Sequence, residues 1–212
     1  MTNKKPEDSK IWGTIVSEID TLDNHIENIR DNFSGKYSMS NEAFAQRSAD
    51  FLLAKFGTSK VHCDIGASIA ALSEKLNSAG WNSYAIDGCA HGFKNNIIKI
   101  PKSKYAVCDF RKDISPLSLE KSFDIMTAFE VTEHIPKDDI ESFLSNVKNS
   151  SDIFVCSIHF DGGEHGSHYN VKPTEWWMDL LSKYGKVTKL DDLKQLFLSF
   201  EHSDFVMVEF FG

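Results

Sequence analysis

The pattern of apolar and polar positions divides the chain into a helical N-terminal part and a longer stretch of alternating strands and helices. Trp12, Ile15, Ile19, Leu22, Ile26, Ile29 and Phe33 recur at a 3-4-3-4-3-4 spacing, a narrow apolar seam along one long helix. Such a seam serves a coiled-coil dimer or a helix laid across a domain. With Ile15, Leu22 and Ile29 at d positions, a parallel pair would set Glu18 against Asp23 and His25 against Arg30. Neither pairing helps, so a parallel zipper is disfavoured, and intramolecular packing is preferred to an antiparallel homodimer. Ser34-Gly35 breaks this helix. A second is predicted from an N-cap at Ser40 to a stop at Gly57, with Phe44, Ala45, Ala49, Leu52, Leu53 and Phe56 on its apolar face.

Beyond residue 60, short β-prone runs alternate with helical patterns. Strands are predicted over 61–63, 83–86, 105–108, 123–129, 153–158, 186–190 and 204–211. The helix after the first strand runs from Ser68 to Gly80, with Ile69, Leu72 and Leu76 on one face. A short helical turn is expected near Pro116 to Leu119. Another helix follows Pro136, with Ile140, Phe143, Leu144 and Val147 inward, and a third opens at Pro173 and ends at Gly185. In that third helix Trp176 and Trp177 point about 100° apart, so one is core and the other faces the preceding loop. A last helix covers 191–200. Ile153 to Ile158 is nearly all apolar, as a parallel strand covered on both faces must be. The fold class is therefore α/β: a mainly parallel seven-stranded sheet with helices on both faces, plus an N-terminal helical appendage. The expected division is 1–57 for the appendage, as lid or interaction segment, and 58–212 for the sheet domain.

Composition narrows the partners. The 212 residues are enough for one full core. A formal charge of −8 argues against a general grip on nucleic acid. No apolar run approaches the ~20 residues of a membrane span, and the first eight residues carry no apolar segment of the signal-peptide kind. Cys63, Cys89, Cys108 and Cys156 form no CxxC pair and read as reduced core thiols of a cytoplasmic protein.

Candidate chemistry lies at the strand ends. Val61 to Cys63 leads into Asp64, Gly66 supplies a sharp turn, and a helix N-terminus follows. Strand, tight turn and helix form the place where an α/β sheet holds a nucleotide-like ligand. Ser83 to Ile86 ends in Asp87-Gly88, where an acid accepts hydrogen bonds from ribose hydroxyls. Asp109 and Glu130 close the next two strands. In a parallel sheet these ends share one edge, so four acids gather there. A ligand offering hydroxyls, an amino group and positive charge suits them, and S-adenosyl-L-methionine offers all three.

From about residue 58 onward the chain resembles the class I S-adenosylmethionine-dependent methyltransferases, whose sheet is Rossmann-like. Three segments carry the resemblance: Val61-His62-Cys63-Asp64-Ile65-Gly66, Tyr84-Ala85-Ile86-Asp87-Gly88, and Phe123 through Phe129-Glu130-Val131-Thr132-Glu133-His134-Ile135-Pro136. Gly163 to Asn170 followed by Pro173-Thr174-Glu175-Trp176-Trp177 resembles a loop-helix segment of the family's smaller members. The resemblance implies that Asp64 and Gly66 line the methionine end of the cofactor, Asp87 the ribose, and Asp109 and Phe110 the adenine, with Glu130 and His134 under the methyl donor. Ala67, Ser68, Gly88 and Phe129 complete the implied cofactor-binding set.

The family's cofactor loop usually reads D-x-G-x-G-x-G, whereas here only Gly66 remains, with Ser68 and Ala70 at the other two glycine positions. Side chains there restrict positive φ, so weakened or altered cofactor binding is expected. The same substitutions argue against a dinucleotide dehydrogenase, whose G-x-G-x-x-G has no match, so a nucleotide-dependent oxidoreductase is a weak third reading. His159, His165 and His168, with Asp161 and Glu164, follow the fifth strand in a long Gly- and His-rich loop. Their spacing fits no standard ligand set, so no metal is expected. His134, His165 and His168 are instead candidate general bases, with ordinary loop histidines as the plainer reading. Two functions follow: a methyltransferase acting on a small-molecule acceptor, a sugar or nucleotide-linked metabolite preferred, or a non-enzymatic scaffold that kept the fold and lost the cofactor. The acceptor itself is not legible, since variable loops and appendages determine it.

Overall fold

The computed structural model describes residues 37–88, 97–112, 123–161, 168–197 and 202–211. The apolar seam from Trp12 to Phe33, Cys89, the turn at 116–119, and Glu164 and His165 lie outside them. The described chain folds as α1 (Tyr37–Phe56), β1 (Val61–Ile65), α2 (Ala71–Ser78), β2 (Asn82–Asp87), β3 (Tyr105–Val107) and β4 (Phe123–Ala128). It continues with α3 (Ile140–Ser150), β5 (Ser151–His159), α4 (Thr174–Ser182), β6 (Gly185–Lys189), α5 (Asp191–Gln195) and β7 (Ser203–Phe210).

The seven strands form one sheet in the order β3-β2-β1-β4-β5-β7-β6. β1 to β5 are parallel, and β7 enters antiparallel between β5 and β6. The chain starts at β1, runs outward to β3, then returns to β4 on the other side of β1. That reversal puts the topological switch point at the carboxyl ends of β1 and β4, the place where open α/β sheets take ligands. The class expected from the apolar pattern, a mainly parallel seven-stranded sheet, is the one observed.

Apolar side chains fill both faces. One layer packs Ile140, Phe143, Leu144 and Val147 of α3 and Trp177, Leu180 and Leu181 of α4 against Cys63, Ile65, Met126 and Phe154. The other packs Ala45, Ala49 and Leu52 of α1, Leu72 and Leu76 of α2, and Leu193 of α5 against Ile125, Val155 and Phe205. α1 is thus a covering helix of the sheet. Its small residues at 45 and 49 let it lie close to α2. Trp177 is the core tryptophan of its pair, while Trp176 lines a surface depression with Lys137, Asp138 and Glu141.

Two helix starts differ from the expectation. α1 begins at Tyr37, so Ser40 lies inside it instead of capping it. α2 begins at Ala71, three residues after Ser68, because residues 68–70 form a turn with left-handed backbone. No helix among the described residues is long and apolar enough to cross a membrane.

Candidate cofactor and acceptor site

The loop leaving β1 turns sharply at its one glycine and again at Ser68 and Ala70. Gly66, Ser68 and Ala70 have φ of 69°, 52° and 61°, all left-handed. Ser and Ala therefore occupy conformations that glycine adopts without steric cost, at roughly 1–2 kcal/mol each. The expected restriction of φ by these side chains does not materialise in the backbone path; it is absorbed as local strain. Cross-strand bonds hold the loop in place. Gly66 and Ala67 donate N–H to Ile86 O at 2.9 and 3.1 Å, Ser68 N–H donates to Asp87 Oδ2 at 2.6 Å, and Tyr105 O–H donates to Ser68 O at 2.7 Å. A Cβ on Gly66 would stand 2.4 Å from Val131 Cγ2, so the turn after β4 rests directly on this loop.

Asp64 sits beneath it, 7% exposed, and accepts a hydrogen bond from Thr127 O–H at 2.7 Å. Burial drives its pKa up to about 7, the Thr127 bond opposes that rise, and the Asp87 charge adds to it. Behind Thr127 lies a buried chain that the sequence reading did not single out. His62 Nε2 is 3.0 Å from Thr127 Oγ1 and Nδ1 is 2.7 Å from Ser83 Oγ. Since Thr127 gives its proton to Asp64, its oxygen accepts from His62 Nε2–H, and Nδ1 accepts from Ser83. Burial lowers the His62 pKa to about 3, so the imidazole is a neutral strut across three strands. The alternation that turns Asp64 toward one face turns His62 the same way, which was the available signal.

The remaining acids divide. Asp87 and Gly88 stand half-buried at the end of β2, next to the loop. Asp109 is committed to Arg111, with Nε–Oδ1 at 2.7 Å and Nη2–Oδ2 at 2.9 Å. Partial burial pushes its pKa up, but the bonds and charge of Arg111 outweigh this and hold it below the ordinary carboxylate range. Its role is to fix the turn at 109–112, whose Arg111 O accepts from Ser142 and Asn146 of α3. The Phe110 ring packs edge-on to Phe143 at 6.1 Å. Phe129 is likewise occupied by packing, between Phe44 at 5.5 Å and Phe205 at 5.8 Å.

Past Phe129 the chain makes a second strained turn. Glu130 has φ of 56°; its N–H donates to Ser157 Oγ at 2.6 Å and its Oε1 accepts from Ser203 O–H at 3.1 Å. A 3-10 turn at Thr132–His134 follows, and Glu133 O accepts from the N–H groups of Tyr169 and Asn170. This joins the loop after β5 to the loop after β4. The His134 and His168 rings lie 4.9 Å apart, and the His168 and His159 rings 5.0 Å apart. Glu133, unassigned in the sequence reading, is 1% exposed among them. Burial and then the Glu130 charge push its pKa well above the ordinary range. The signal for it was its place three residues after Glu130 and beside His134. Cys63 and Cys156 are buried with pKa values driven up, first by burial and then by neighbouring acids, so neither is a nucleophile.

Residues 38–209 match the model of a family described as a methyltransferase domain. The chain belongs to this family, within the class I S-adenosylmethionine-dependent methyltransferases. A search of the curated proteins finds no match. Among solved structures, magnesium protoporphyrin IX methyltransferase from Synechocystis PCC 6803, with bound SAH, is similar with a TM-score of 0.60. The two share 13% identity over 89% of this chain and 97% of that one. The 1,6-didemethyltoxoflavin-N1-methyltransferase of Burkholderia thailandensis, with bound 1,6-didemethyltoxoflavin and S-adenosylhomocysteine, gives a TM-score of 0.57. Its identity is 14% over 100% of this chain and 93% of that one. At such identities the likeness is one of fold.

Proposed function

We propose that the protein transfers a methyl group from S-adenosylmethionine to a small-molecule acceptor, with sugars and nucleotide-linked metabolites preferred. The observation that carries this reading is the left-handed backbone kept at all three glycine positions, 66, 68 and 70. Strained backbone of this kind gathers at ligand sites, and here the bonds to Ile86 and Asp87 keep it in place with serine and alanine where glycine would be easier. The donor set also suits the group. Asp64 offers a buried carboxylate to the cofactor's ammonium, Asp87 an acid to its ribose hydroxyls, and the half-buried rim near Phe110 a surface for its adenine. Asp109, held by Arg111, acts there through the shape of its turn.

S-adenosylmethionine supplies an activated methyl on a cationic sulfur. Transfer is an in-line displacement, so the protein's part is to align the acceptor, exclude water and take up one proton. Glu130, His134 and His168 stand where β4 and β5 leave the sheet, beside the cofactor loop, and receive that proton from the acceptor. His165 stays a candidate from its place in the sequence. The test is turnover: purified protein with S-adenosylmethionine and fractionated small-molecule extract should release S-adenosylhomocysteine in an acceptor-dependent manner. No release with any fraction, alongside demonstrated cofactor binding, would count against the small-molecule reading.

A further inference from the structure

The turn after β4 and the strand end of β5 bring together more ligating groups than proton transfer needs. One ligand atom each from Glu133, His134 and His168 lie within 4.8 Å of one another, and the same holds for Glu130, Glu133 and His159. Glu133 belongs to both sets. Its Oε2 is fully buried and has no hydrogen-bond partner among the described residues. Nor does any lysine or arginine among them pair with Glu130 or Glu133; the sole ionic neighbour is His134, 3.8 Å from Glu133 Oε1. A buried carboxylate with an orphaned oxygen, beside a second, half-buried one, is costly without a cation.

We infer that Glu130, Glu133, His134, His159 and His168 form a binding site for one divalent transition-metal ion of the Mn2+ or Zn2+ class. Mixed imidazole and carboxylate ligands select such ions over Mg2+ and Ca2+, which prefer oxygen alone. Ligand atoms about 2.1 Å from one ion stand no more than roughly 4 Å apart. Within each set, closing from 4.8 Å asks for shifts of under about 1 Å, and the shared Glu133 joins the two sets. The supporting shell is built. Ser203 gives its proton to Glu130 and so accepts from His159 Nδ1–H at 3.3 Å, which leaves Nε2 as the ligand atom. The backbone under the ligands is tied by Glu130 N–H to Ser157, Thr132 O–H to Ser157 O, and the two amides of 169 and 170 to Glu133 O. Sequence spacing gave no hint of a metal because the ligands come from three separate segments joined only by the fold.

The ion also narrows the acceptor, a step that rests on the proposed methyltransferase reading. Ile65 and Ala128 pair in the sheet, so the cofactor loop and the ligand turn leave it side by side. With Glu130, His134 and His168 held by the ion, a hydroxyl bound to it there loses its proton more readily, to solvent instead of to those side chains. Its oxygen then bonds to the methyl carbon as the carbon–sulfur bond breaks. The expected chemistry is O-methylation.

Metal binding is measurable without the cofactor. Chelator-treated full-length protein is titrated with Mn2+ by electron paramagnetic resonance and with Zn2+ and Co2+ by calorimetry. The expected result is one saturable site. Glu133→Gln, His159→Ala and His168→Ala should each weaken it by about tenfold or more with unchanged circular dichroism, and His202→Ala, outside the set, should not. If Glu133→Gln fails to fold, the two histidine variants decide. The inference is overturned by absence of saturable binding below about 1 mM, or by equal binding in wild type and all folded ligand variants. Failure to bind S-adenosylmethionine with Mn2+ binding intact would refute the cofactor reading and leave the metal site standing.

Discussion

Asp64 carries two opposed demands. An ionised carboxylate suits a cationic cofactor, yet burial makes that ionisation unfavourable while the site holds no cation. Its folded pKa of about 7 exceeds the ordinary 3.8, so its stabilising effect is complete below about 4 and lost as pH rises through 7. His62 has the opposite sign: its folded pKa of about 3 lies below 6.5, so its contribution holds above 6.5 and is lost as pH falls through 3. Asp64→Asn keeps an acceptor for Thr127 and removes the buried charge. It should stabilise the cofactor-free protein at pH 8 by on the order of 2–4 kcal/mol in urea denaturation, given a shift of roughly three units. The same variant should bind S-adenosylmethionine more weakly, and wild-type affinity should fall below pH 7. A variant that is both less stable and equally tight would contradict this account of Asp64. Ser68→Gly and Ala70→Gly release left-handed strain at the cost of chain entropy. Each should leave stability unchanged or raise it by up to about 1 kcal/mol, because Ala70 precedes α2 and is not part of it. A loss of more than about 1 kcal/mol in either would show that the side chains make contacts outweighing the strain.

At the scale of elements, α1 and the segment before it should behave differently. Leu52 of α1 is fully buried in a cluster with Leu72, Leu76 and Trp81. Each such side chain re-exposed costs about 1.5–3 kcal/mol, and several together approach the 5–15 kcal/mol that hold a domain folded. Deleting residues 1–36 should therefore leave a cooperative thermal transition, and deleting 1–57 should abolish it. A truncation at 36 that also loses the transition would make the earlier segment part of the core. Strand and helix identity was legible because buried parallel strands read as apolar runs and α3 presents Ile140, Phe143, Leu144 and Val147 at helical spacing. The ends were less so. Nothing in Ser68-Ile69-Ala70 announces a left-handed turn, since that conformation is imposed by the bonds to Asp87 and Ile86 and not by local preference.

For the whole molecule, the sheet order decides which acids meet. Asp64 and Asp87 were placed correctly at one edge because strand ends in a parallel sheet share it, whereas Asp109 and Phe129 are taken up by Arg111 and by aromatic packing. Those partners lie 2 to 85 positions away in sequence, and a strand-end argument weighs none of them. The cluster around Glu133 was invisible for the same reason, with ligands from 130 to 168 meeting only after β4 and β5 pair. A loop with one glycine should still hold S-adenosylmethionine. Calorimetric titration of the wild-type protein with S-adenosylmethionine and S-adenosylhomocysteine is the decisive measurement. The predicted result is saturable one-to-one binding, weakened about tenfold or more in a folded Asp87→Ala variant that loses a charged acceptor for ribose hydroxyls. No binding at millimolar ligand, in the wild type and in the Ser68→Gly/Ala70→Gly double variant alike, would contradict it.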